Sequence, residues 1–527
     1  MKKARSLLLC LLVLLPLASC GKGGYQEDMH FQYMLPASVS SLDPQTCKLE
    51  TEKTVISMLF EGLCRLDSTG TAVPGAASQW ETDSSYTRYT FYLRQDAKWS
   101  NGEALVAEDF VFGIRRALNP SSKAVDIEPM FLIQNARAVN AGEAEIETLG
   151  VYAPDSHTVV FELSTPYQDF PELTAGIRFM PCKQSFFEDT IGHYGMDTGY
   201  LLTNGPFSFA GDYAWEANVS IALGRNIHYT GDHPVLPQSL TLLLTQETVN
   251  KRSPLNSLED EAVDLVPIAE EDLDQAKAMK AETITLHDTV YGLLLNTQDE
   301  FLQYLSLRRI YLSAIDRKEV ISRMGEQYEE ANGIMPKCIR WAGNSYQHPG
   351  EVLYATQNRD ISQEVVPVIS SLDLERLPSI TILCLDDAYS KHLANGIIVS
   401  WNQNLPNMFN LEPLSQEDYN RRLSTGDYQA ALYSFASKGT NPLSVFTQFL
   451  GTATPKLLAD ESYDNLLWDF SFTREDCRAL EEALLNSYVF YPIHYTRSYY
   501  AINPKVQGIT MTADFGPDFT AAVKRNG

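Results

Sequence analysis

Polar and apolar residues alternate between Tyr89 and Arg94. Three large side chains point to one side of an extended chain, namely Tyr89, Phe91 and Leu93. Thr90, Tyr92 and Arg94 point to the other side. A period of two predicts a half-buried β-strand.

The period changes after Ser100-Asn101-Gly102, a sequence typical of a turn because Asn and Gly accept positive φ at little cost. Five apolar residues then recur at helical spacing: Phe110, Val111, Ile114, Ala117 and Leu118. Glu108 and Asp109 lie in the first turn of this predicted helix, where its dipole favours negative charge. Asn119-Pro120 ends the helix.

The same reasoning predicts further elements along the chain. Strands are expected near the start of 25–46 and at 158–163, 293–296, 380–385 and 430–435, the last as a buried parallel strand. Helices are expected at 52–62 and 388–404, with two more within 308–321. Asp316 and Glu319 form a capping-box pattern in that last region.

The N-terminus has the pattern of a secretory leader. Three basic residues precede the apolar run Leu7 to Leu17, which is too short to span a bilayer. The run ends in Leu17-Ala18-Ser19-Cys20, which resembles a bacterial lipobox. That resemblance implies a signal peptide at 1–19, acylation of Cys20 and a tether over 20–27, although an ordinary leader with a chance cysteine is the alternative.

Composition narrows the class of protein. The 527 residues indicate roughly three domains, and 44% hydrophobic with 20% charged residues is ordinary for a globular protein. The formal net charge of −26 argues against nucleic acid as a partner, since phosphate binding requires basic patches. The six cysteines after Cys20 show no metal-binding spacing and leave both free thiols and disulfides open.

Catalytic and metal-binding motifs are not legible in the sequence. We find no HExxH, GxSxG, P-loop or GxGxxG in the mature chain. Asp386-Asp387 is more simply explained as a structural pair. The sequence therefore predicts neither an enzyme nor a cofactor or metal site.

The stretch from Trp80 to Pro120 resembles a signature of the family-5 extracytoplasmic solute-binding proteins of ABC importers. Its matching segments are Trp80, Tyr89-Thr90-Phe91-Tyr92-Leu93-Arg94, Lys98-Trp99-Ser100-Asn101-Gly102 and Ala107-Glu108-Asp109-Phe110-Val111-Phe112. Val106 departs from the family pattern, which has Thr as the helix cap. Weaker similarity continues over nearly the whole mature chain and is thinnest over 340–376.

The resemblance implies an α/β fold of the periplasmic-binding-protein type II class, with two hinged α/β lobes and a small inserted domain. After the leader and tether, it places lobe I at 28–63, 201–292 and 491–527, the inserted domain at 64–200, and lobe II at 293–490. A ligand is expected in the cleft between the lobes.

Peptide-binding relatives hold their ligand as an added β-strand. By resemblance, Lys48-Leu49-Glu50 and Ser434-Phe435-Ala436 are the strands that flank it.

Relatives also have a Trp and, three residues later, an Asp that pairs with the peptide ammonium. This chain has Phe435 and Lys438 at those places, so the sign of the anchor is reversed. The ligand-binding candidates are Lys48, Glu50, Asn296, Phe435, Ala436, Lys438, Asn441, His494 and Tyr495.

The expected function is capture of a peptide or peptide-like solute and its delivery to ABC permease subunits. The expected protein is a monomer, lipid-anchored on the extracytoplasmic side of the cell membrane. Two alternatives remain open: the same fold binding a non-peptide solute, such as an acidic compound, a sugar or a metal chelate, or a sensory or interaction lipoprotein with no role in transport. A hydrolase is a further rival that only a nucleophile–base pair in the cleft would support.

Overall fold

A computed structural model describes most of the chain. The described residues are 29–244, 254–325, 328–341, 344–347, 361–437, 439–451, 453, 455–458, 460–469, 473–512 and 515–524. The predicted leader, Cys20 and the tether lie outside them. Among the helices of this described part, none has the length and apolar character needed to cross a bilayer.

The described residues contain twenty-four strands, which are numbered in chain order. They are β1 His30–Met34, β2 Cys64–Leu66, β3 Ala72–Pro74, β4 Ala77–Thr82, β5 Arg88–Leu93, β6 Val151–Asp155, β7 Thr158–Glu162, β8 Phe207–Phe209, β9 Trp215–Glu216, β10 Ser220–Arg225, β11 Ser239–Leu243, β12 Leu265–Ile268, β13 Glu282–Leu295, β14 Glu329–Glu330, β15 Arg340–Trp341, β16 Asn344–Ser345, β17 Thr381–Leu385, β18 Asn410–Leu414, β19 Ala430–Ala436, β20 Phe490–Ile502, β21 Val506–Gln507, β22 Thr510–Thr512, β23 Gly516–Asp518 and β24 Val523–Lys524.

The α-helices are numbered in the same way. They are α1 Glu50–Leu59, α2 Ala107–Leu118, α3 Ala136–Asn140, α4 Phe170–Leu173, α5 Gln184–Asp189, α6 Pro254–Glu259, α7 Leu273–Ala278, α8 Leu305–Ser313, α9 Arg317–Met324, α10 Ser362–Ser371, α11 Ala388–Asn404, α12 Gln416–Thr425, α13 Leu443–Phe446, α14 Glu461–Asp469 and α15 Arg474–Asn486.

One large sheet runs through the molecule. Ten of its twelve strands in the described residues lie in the order β18-β17-β19-β13-β20-β12-β1-β11-β10-β8, while β14 pairs with β20 and β9 pairs with β10. Lobe I denotes the part around β1 and β8–β12, and lobe II the part around β17–β19 with α8–α15. The strand pair β13 and β20 lies between these two groups and joins them.

The two central strands are long and antiparallel. They pair from Glu282 opposite Ile502 to Leu294 opposite Phe490, and the register shifts twice, between Leu286 and Thr289 and between Tyr291 and Gly292. The predicted lobe boundaries at residues 292 and 490 fall within these strands. Bulges bend a strand and interrupt its ladder.

A separate four-stranded sheet, β4-β5-β7-β6, lies within residues 64–200, which we call the insert. The predicted alternation is confirmed, because Tyr89, Phe91 and Leu93 are buried on β5. The predicted helix is α2, which packs against β6 and β7. All five residues of its predicted apolar face are buried.

Most other predicted elements are present. The helix expected at 388–404 is α11, and the two helices expected within 308–321 are α8 and α9. The Asp316 side chain accepts a hydrogen bond from the Glu319 amide at 3.0 Å, as a cap does. The strand expected at 430–435 is β19, which is parallel to β17 but antiparallel to β13.

Two open questions from the sequence are answered for the described residues. The six cysteines in this part of the chain form no disulfide bond with one another: Cys47, Cys64, Cys182, Cys338, Cys384 and Cys477. Asp387 caps α11 by accepting hydrogen bonds from the amide and hydroxyl of Ser390. The adjacent Asp386 pairs with Lys391 at 2.8 Å, so the carboxylate pair is structural.

Candidate ligand-binding cleft

The lobe I side of the cleft is formed by the segment that leads from β1 into α1. Glu52, in the first turn of α1, holds this segment with both carboxylate oxygens. Oε1 accepts hydrogen bonds from the Ser40 amide and hydroxyl and from the Ser41 amide, at 2.7–3.1 Å. Oε2 accepts from the amides of Lys48 and Leu49 at 2.9 and 3.1 Å. Glu52 therefore closes residues 40–49 into a loop.

Burial opposes the charge of this carboxylate, but the hydrogen bonds that it accepts outweigh burial. The pKa of Glu52 therefore lies below its ordinary value. The group stays ionised at neutral pH and keeps its five donors oriented.

Two arginines of the insert fix the same segment from the opposite side. Arg178 donates to the carbonyl oxygens of Pro44 and Cys47, both at 2.6 Å. Arg116 pairs with Asp43 at 2.7 Å and donates to the Gln45 side chain. The insert therefore belongs structurally with lobe I.

The prediction that Lys48-Leu49-Glu50 forms a strand is wrong. Leu49 has extended backbone angles, but the amides of Lys48 and Leu49 point to Glu52 instead of a neighbouring strand. Glu50 is already the first residue of α1, and its carboxylate pairs with Lys53 at 2.9 Å. Both Lys48 and Glu50 are exposed.

The lobe II side of the cleft is the end of β19. This strand pairs with β13 along its whole length, from Ala430 to Ala436. On its other edge it pairs with β17 only at Ala430 and Ala431. Among the described residues, no strand covers that edge beyond Ala431, and an uncovered edge offers backbone groups to an added strand.

The side chains at this end of β19 alternate in exposure. Phe435 is buried and packs on Phe449 and Phe490, with ring centroids 4.8 and 4.6 Å away. Ser434 and Ala436 are exposed. Phe435 thus anchors the strand from behind, while its two neighbours face outward.

The chain after β19 carries two more predicted residues. Lys438 lies outside the described residues. Asn441 accepts a hydrogen bond from the Leu443 amide at 2.8 Å, and its amide nitrogen donates to the Tyr167 hydroxyl. Asn441 therefore contacts the insert across the cleft.

Three further candidate ligand-binding side chains are buried and contact other residues of the protein interior. Asn296 donates to the carbonyls of Gly426 and Tyr428 at 3.0 and 2.8 Å. His494 is fully buried and lies parallel to the ring of Tyr291, with centroids 5.7 Å apart. The Tyr495 hydroxyl bonds to the Asn332 amide and to Gln347. The structure does not present these three side chains to the cleft.

His494 has a defined tautomer. Its Nδ1 lies 3.0 Å from the Tyr495 carbonyl oxygen, so it carries the proton. Its Nε2 accepts from the Tyr389 hydroxyl. Burial lowers the pKa of His494, which is consistent with a neutral ring that supports β20.

Several residues that contact across the cleft were not expected from the sequence. Tyr167 of the insert meets Trp341 of lobe II edge to face, with centroids 6.3 Å apart. Gly70, at the tip of the β2–β3 hairpin, meets Thr440. These residues are far apart in the sequence, and no local pattern signals their contact.

A cavity of about 70 Å³ lies between lobe I and the insert instead of beside β19. Residues of both bodies line it, among them Phe60, Arg65 and Phe519. Ligand pockets usually enclose about 300–1,000 Å³, so this cavity is too small for a peptide.

Comparison with known proteins identifies the family that this chain resembles in sequence. A family model described as bacterial extracellular solute-binding proteins, family 5, middle region, matches residues 71–456. The oligopeptide-binding protein OppA of Bacillus subtilis is 25% identical over 466 residues, which is 85% of this chain and 84% of that protein. The dipeptide-binding protein of Lactococcus lactis is 23% identical over 523 residues, 94% of each chain.

A solved structure shows the same fold. Haemophilus influenzae OppA in complex with RPPGFSPFR has a TM-score of 0.75 and 22% identity, and the match covers 95% of this chain and all of that one. The predicted type II periplasmic-binding-protein fold is confirmed. The family match covers most of the chain, and its sheet has the lobe-joining strand pair that the resemblance implied. The chain therefore belongs to family 5 of the bacterial extracellular solute-binding proteins.

Proposed function

We propose that this protein is the solute receptor of an ABC importer. It captures a peptide or peptide-like solute between its lobes and delivers it to permease subunits, without chemical change to the solute. The names of the oligopeptide- and dipeptide-binding relatives support this choice of ligand. The receptor acts as a monomer, held on the extracytoplasmic side of the membrane by the lipid on Cys20.

The uncovered edge of β19 is the observation that carries the peptide assignment. From Leu432 to Ala436 this strand pairs with β13 alone within the described part of the chain. A peptide added there would gain backbone hydrogen bonds that do not depend on its side chains. The outward Ser434 and Ala436 are small, so they leave room for a second backbone.

Native mass spectrometry of residues 21–527 tests the proposal first. We expect a co-purified mass that fragments as a peptide. A co-purified sugar, chelate or acidic metabolite would contradict the peptide assignment and support the non-peptide alternative.

Backbone methylation of the identified peptide then tests the added strand. A strand points its amides alternately toward and away from its neighbour. N-methylation at alternate positions should weaken binding about two- to tenfold, since one net hydrogen bond contributes roughly 0.5–1.5 kcal/mol. Peptides methylated at the intervening positions are the matched control, and equal losses at all positions would contradict strand addition.

Lys438 gives a separate prediction about ligand charge. Relatives have an acidic residue at the matching place, and a lysine there repels a ligand ammonium. Lys438→Asp should therefore raise the affinity for peptides with a free α-amine and leave N-acetylated peptides unaffected. Isothermal calorimetry measures both, and unchanged or weaker binding of the free-amine peptides would refute the reversed anchor.

The same lysine favours a second candidate function. A receptor for an acidic or neutral solute would use Lys438 as its anchor. In that case Lys438→Asp lowers the affinity for the native ligand, and the co-purified mass carries an acidic group.

A further inference from the structure

Five residues form a contact between the insert and lobe II that we call the clasp: Gly70, Tyr167, Trp341, Thr440 and Asn441. Its first half is centred on Tyr167, which is 1% exposed. The Tyr167 hydroxyl accepts a hydrogen bond from the amide nitrogen of Asn441, and the edge of its ring meets Trp341 at an interplanar angle of 89°. A fully buried tyrosine of the insert therefore contacts two residues of lobe II.

The second half of the clasp is a close backbone approach. Gly70 is buried, although it lies at a hairpin tip. A Cβ built on Gly70 would lie 2.5–2.8 Å from the side-chain atoms of Thr440, well inside van der Waals contact. Only glycine fits this position while Thr440 keeps its place.

Each side of the clasp is ordered by its own body. On the insert side, Asp67 accepts hydrogen bonds from the Thr69 and Thr71 amides and shapes the hairpin tip. On the lobe II side, the Arg340 amide donates to the Thr440 carbonyl at 2.7 Å. Each side of the clasp therefore has a hydrogen bond within its own body, besides the contacts between the two bodies.

The clasp connects the two bodies that β13 and β20 join, so a change in the angle between the bodies would affect it. The insert is fixed to lobe I by Arg116 and Arg178, whereas Trp341 and Asn441 belong to lobe II. Lobe I and lobe II are joined through β13 and β20, whose bulges allow bending. Opening of the cleft about these strands separates the clasp residues and exposes Tyr167 to water.

We infer that the clasp stabilises the closed state and thereby sets how often the receptor opens to exchange its solute. The inference rests on the proposed function for its biological meaning, but the contact itself is independent of the ligand. A closed state that is stabilised by protein contacts releases solute more slowly, because opening must break those contacts as well.

Small-angle X-ray scattering of the purified full mature chain tests this inference. Gly70→Ala should push Thr440 away and increase the radius of gyration relative to the wild-type protein. Gly142→Ala is the matched control, because Gly142 also has a positive φ, of 74° against 80° for Gly70, but nothing lies within 4 Å of its would-be Cβ. We expect Gly142→Ala to scatter like wild type.

Two further variants make the result specific. Adding Thr440→Gly to Gly70→Ala removes the clashing atoms and should restore the wild-type radius of gyration. Tyr167→Phe removes only the hydroxyl that Asn441 binds and should shift the scattering in the same direction as Gly70→Ala. The shift should be smaller, because the ring contact with Trp341 remains.

Scattering from Gly70→Ala that superimposes on wild type would overturn the inference. An increase that Gly142→Ala reproduces would also overturn it. A clasp-dependent shift in a protein that binds no peptide would leave the inference standing and refute the peptide assignment instead.

Discussion

The imidazole of His494 is held neutral by its surroundings. Its Nδ1–H donates to the Tyr495 carbonyl, its Nε2 accepts from Tyr389, and the ring is fully buried. Protonation would place a second donor opposite the Tyr389 hydroxyl in an apolar site. Burial therefore lowers the pKa of His494 below the ordinary value.

This lowered pKa predicts acid-sensitive stability. The unfolded chain binds the proton more readily, so the stabilisation is complete above the unfolded pKa of about 6.5. It is lost as the pH falls from there toward the folded pKa, by up to about 1.4 kcal/mol per pH unit. Urea unfolding at pH 7.5 and 5.5 should show a smaller pH dependence for His494→Phe than for wild type.

The exposed His193 provides the control for this measurement. His193→Phe should keep the wild-type dependence on pH, because no burial acts on that ring. An unchanged pH dependence in His494→Phe would show that other groups cause the acid sensitivity.

A second prediction concerns Glu52 and its contribution to the stability of the 40–49 loop. Glu52→Gln replaces an acceptor-only carboxylate by an amide whose nitrogen must face N–H donors of the 40–49 loop. We expect a loss of about 2–3 kcal/mol in the free energy of unfolding at pH 7, since buried donors lose their acceptor. The difference from wild type should shrink as the pH falls through the lowered folded pKa of Glu52, because the side chain at position 52 is then uncharged in both proteins.

Glu50 is the matched control on the same helical turn. Its side chain is 66% exposed, and Glu50→Gln should change the free energy of unfolding by about 0.5 kcal/mol or less. Equal losses in the two variants by urea denaturation would refute the role of Glu52 as the organiser of the loop.

At the scale of elements, the start of α2 shows how the protein compensates for a missing cap. Val106 has no side-chain acceptor, so Asp109 takes over part of the capping role. Its carboxylate accepts from the Val106 amide at 3.0 Å and from the Trp99 indole at 2.9 Å. Burial raises the pKa of Asp109, while these two bonds oppose the shift.

Val106→Thr should complete this cap. The threonine hydroxyl can accept a hydrogen bond from the Asp109 amide, which is the missing half of a capping box. We expect a gain of about 0.5–1 kcal/mol in the free energy of unfolding, measured with urea. Val106→Ile, which changes shape but adds no acceptor, should give no such gain, and an equal gain in both variants would refute capping as the cause.

Elements were predictable where the pattern that specifies them is local. The strand at Tyr89–Leu93, the helix α2 and the helix α11 follow from periodicity and turn residues within one short window. Lys48–Glu50 failed because Glu52, a residue of the following helix, takes the amides that a strand would use. The backbone of Leu49 is extended, but its amide donates to Glu52 instead of to a neighbouring strand.

The cleft was predictable only in part, because its two sides come from distant parts of the chain. Family resemblance indicated β19 and its neighbour Asn441. The partner of Asn441 is Tyr167, 274 residues away in the sequence, and the clash that Gly70 avoids involves Thr440, 370 residues away. Such contacts depend on how whole lobes meet, which no window of sequence contains.

At the scale of the whole molecule, the position of Cys20 in the sequence determines which lobe a lipid anchor would hold at the membrane. The described chain begins at residue 29, just before β1, a central strand of lobe I that pairs with β11 and β12. A lipid on Cys20 would therefore attach lobe I to the membrane through the eight residues 21–28. Lobe II would remain free to open and close about β13 and β20.

Cys20→Ser tests this arrangement in cells that produce the full chain. Without the thiol no lipid can be attached, so the protein should move from the membrane fraction to the soluble fraction and lose metabolic palmitate labelling. Cys338→Ser is the control, because Cys338 is a partly exposed thiol of the folded protein, and it should leave both readouts unchanged. Persistent palmitate labelling of Cys20→Ser would contradict the lipobox, and release of both variants would point to a general loss of membrane association instead of a lost anchor.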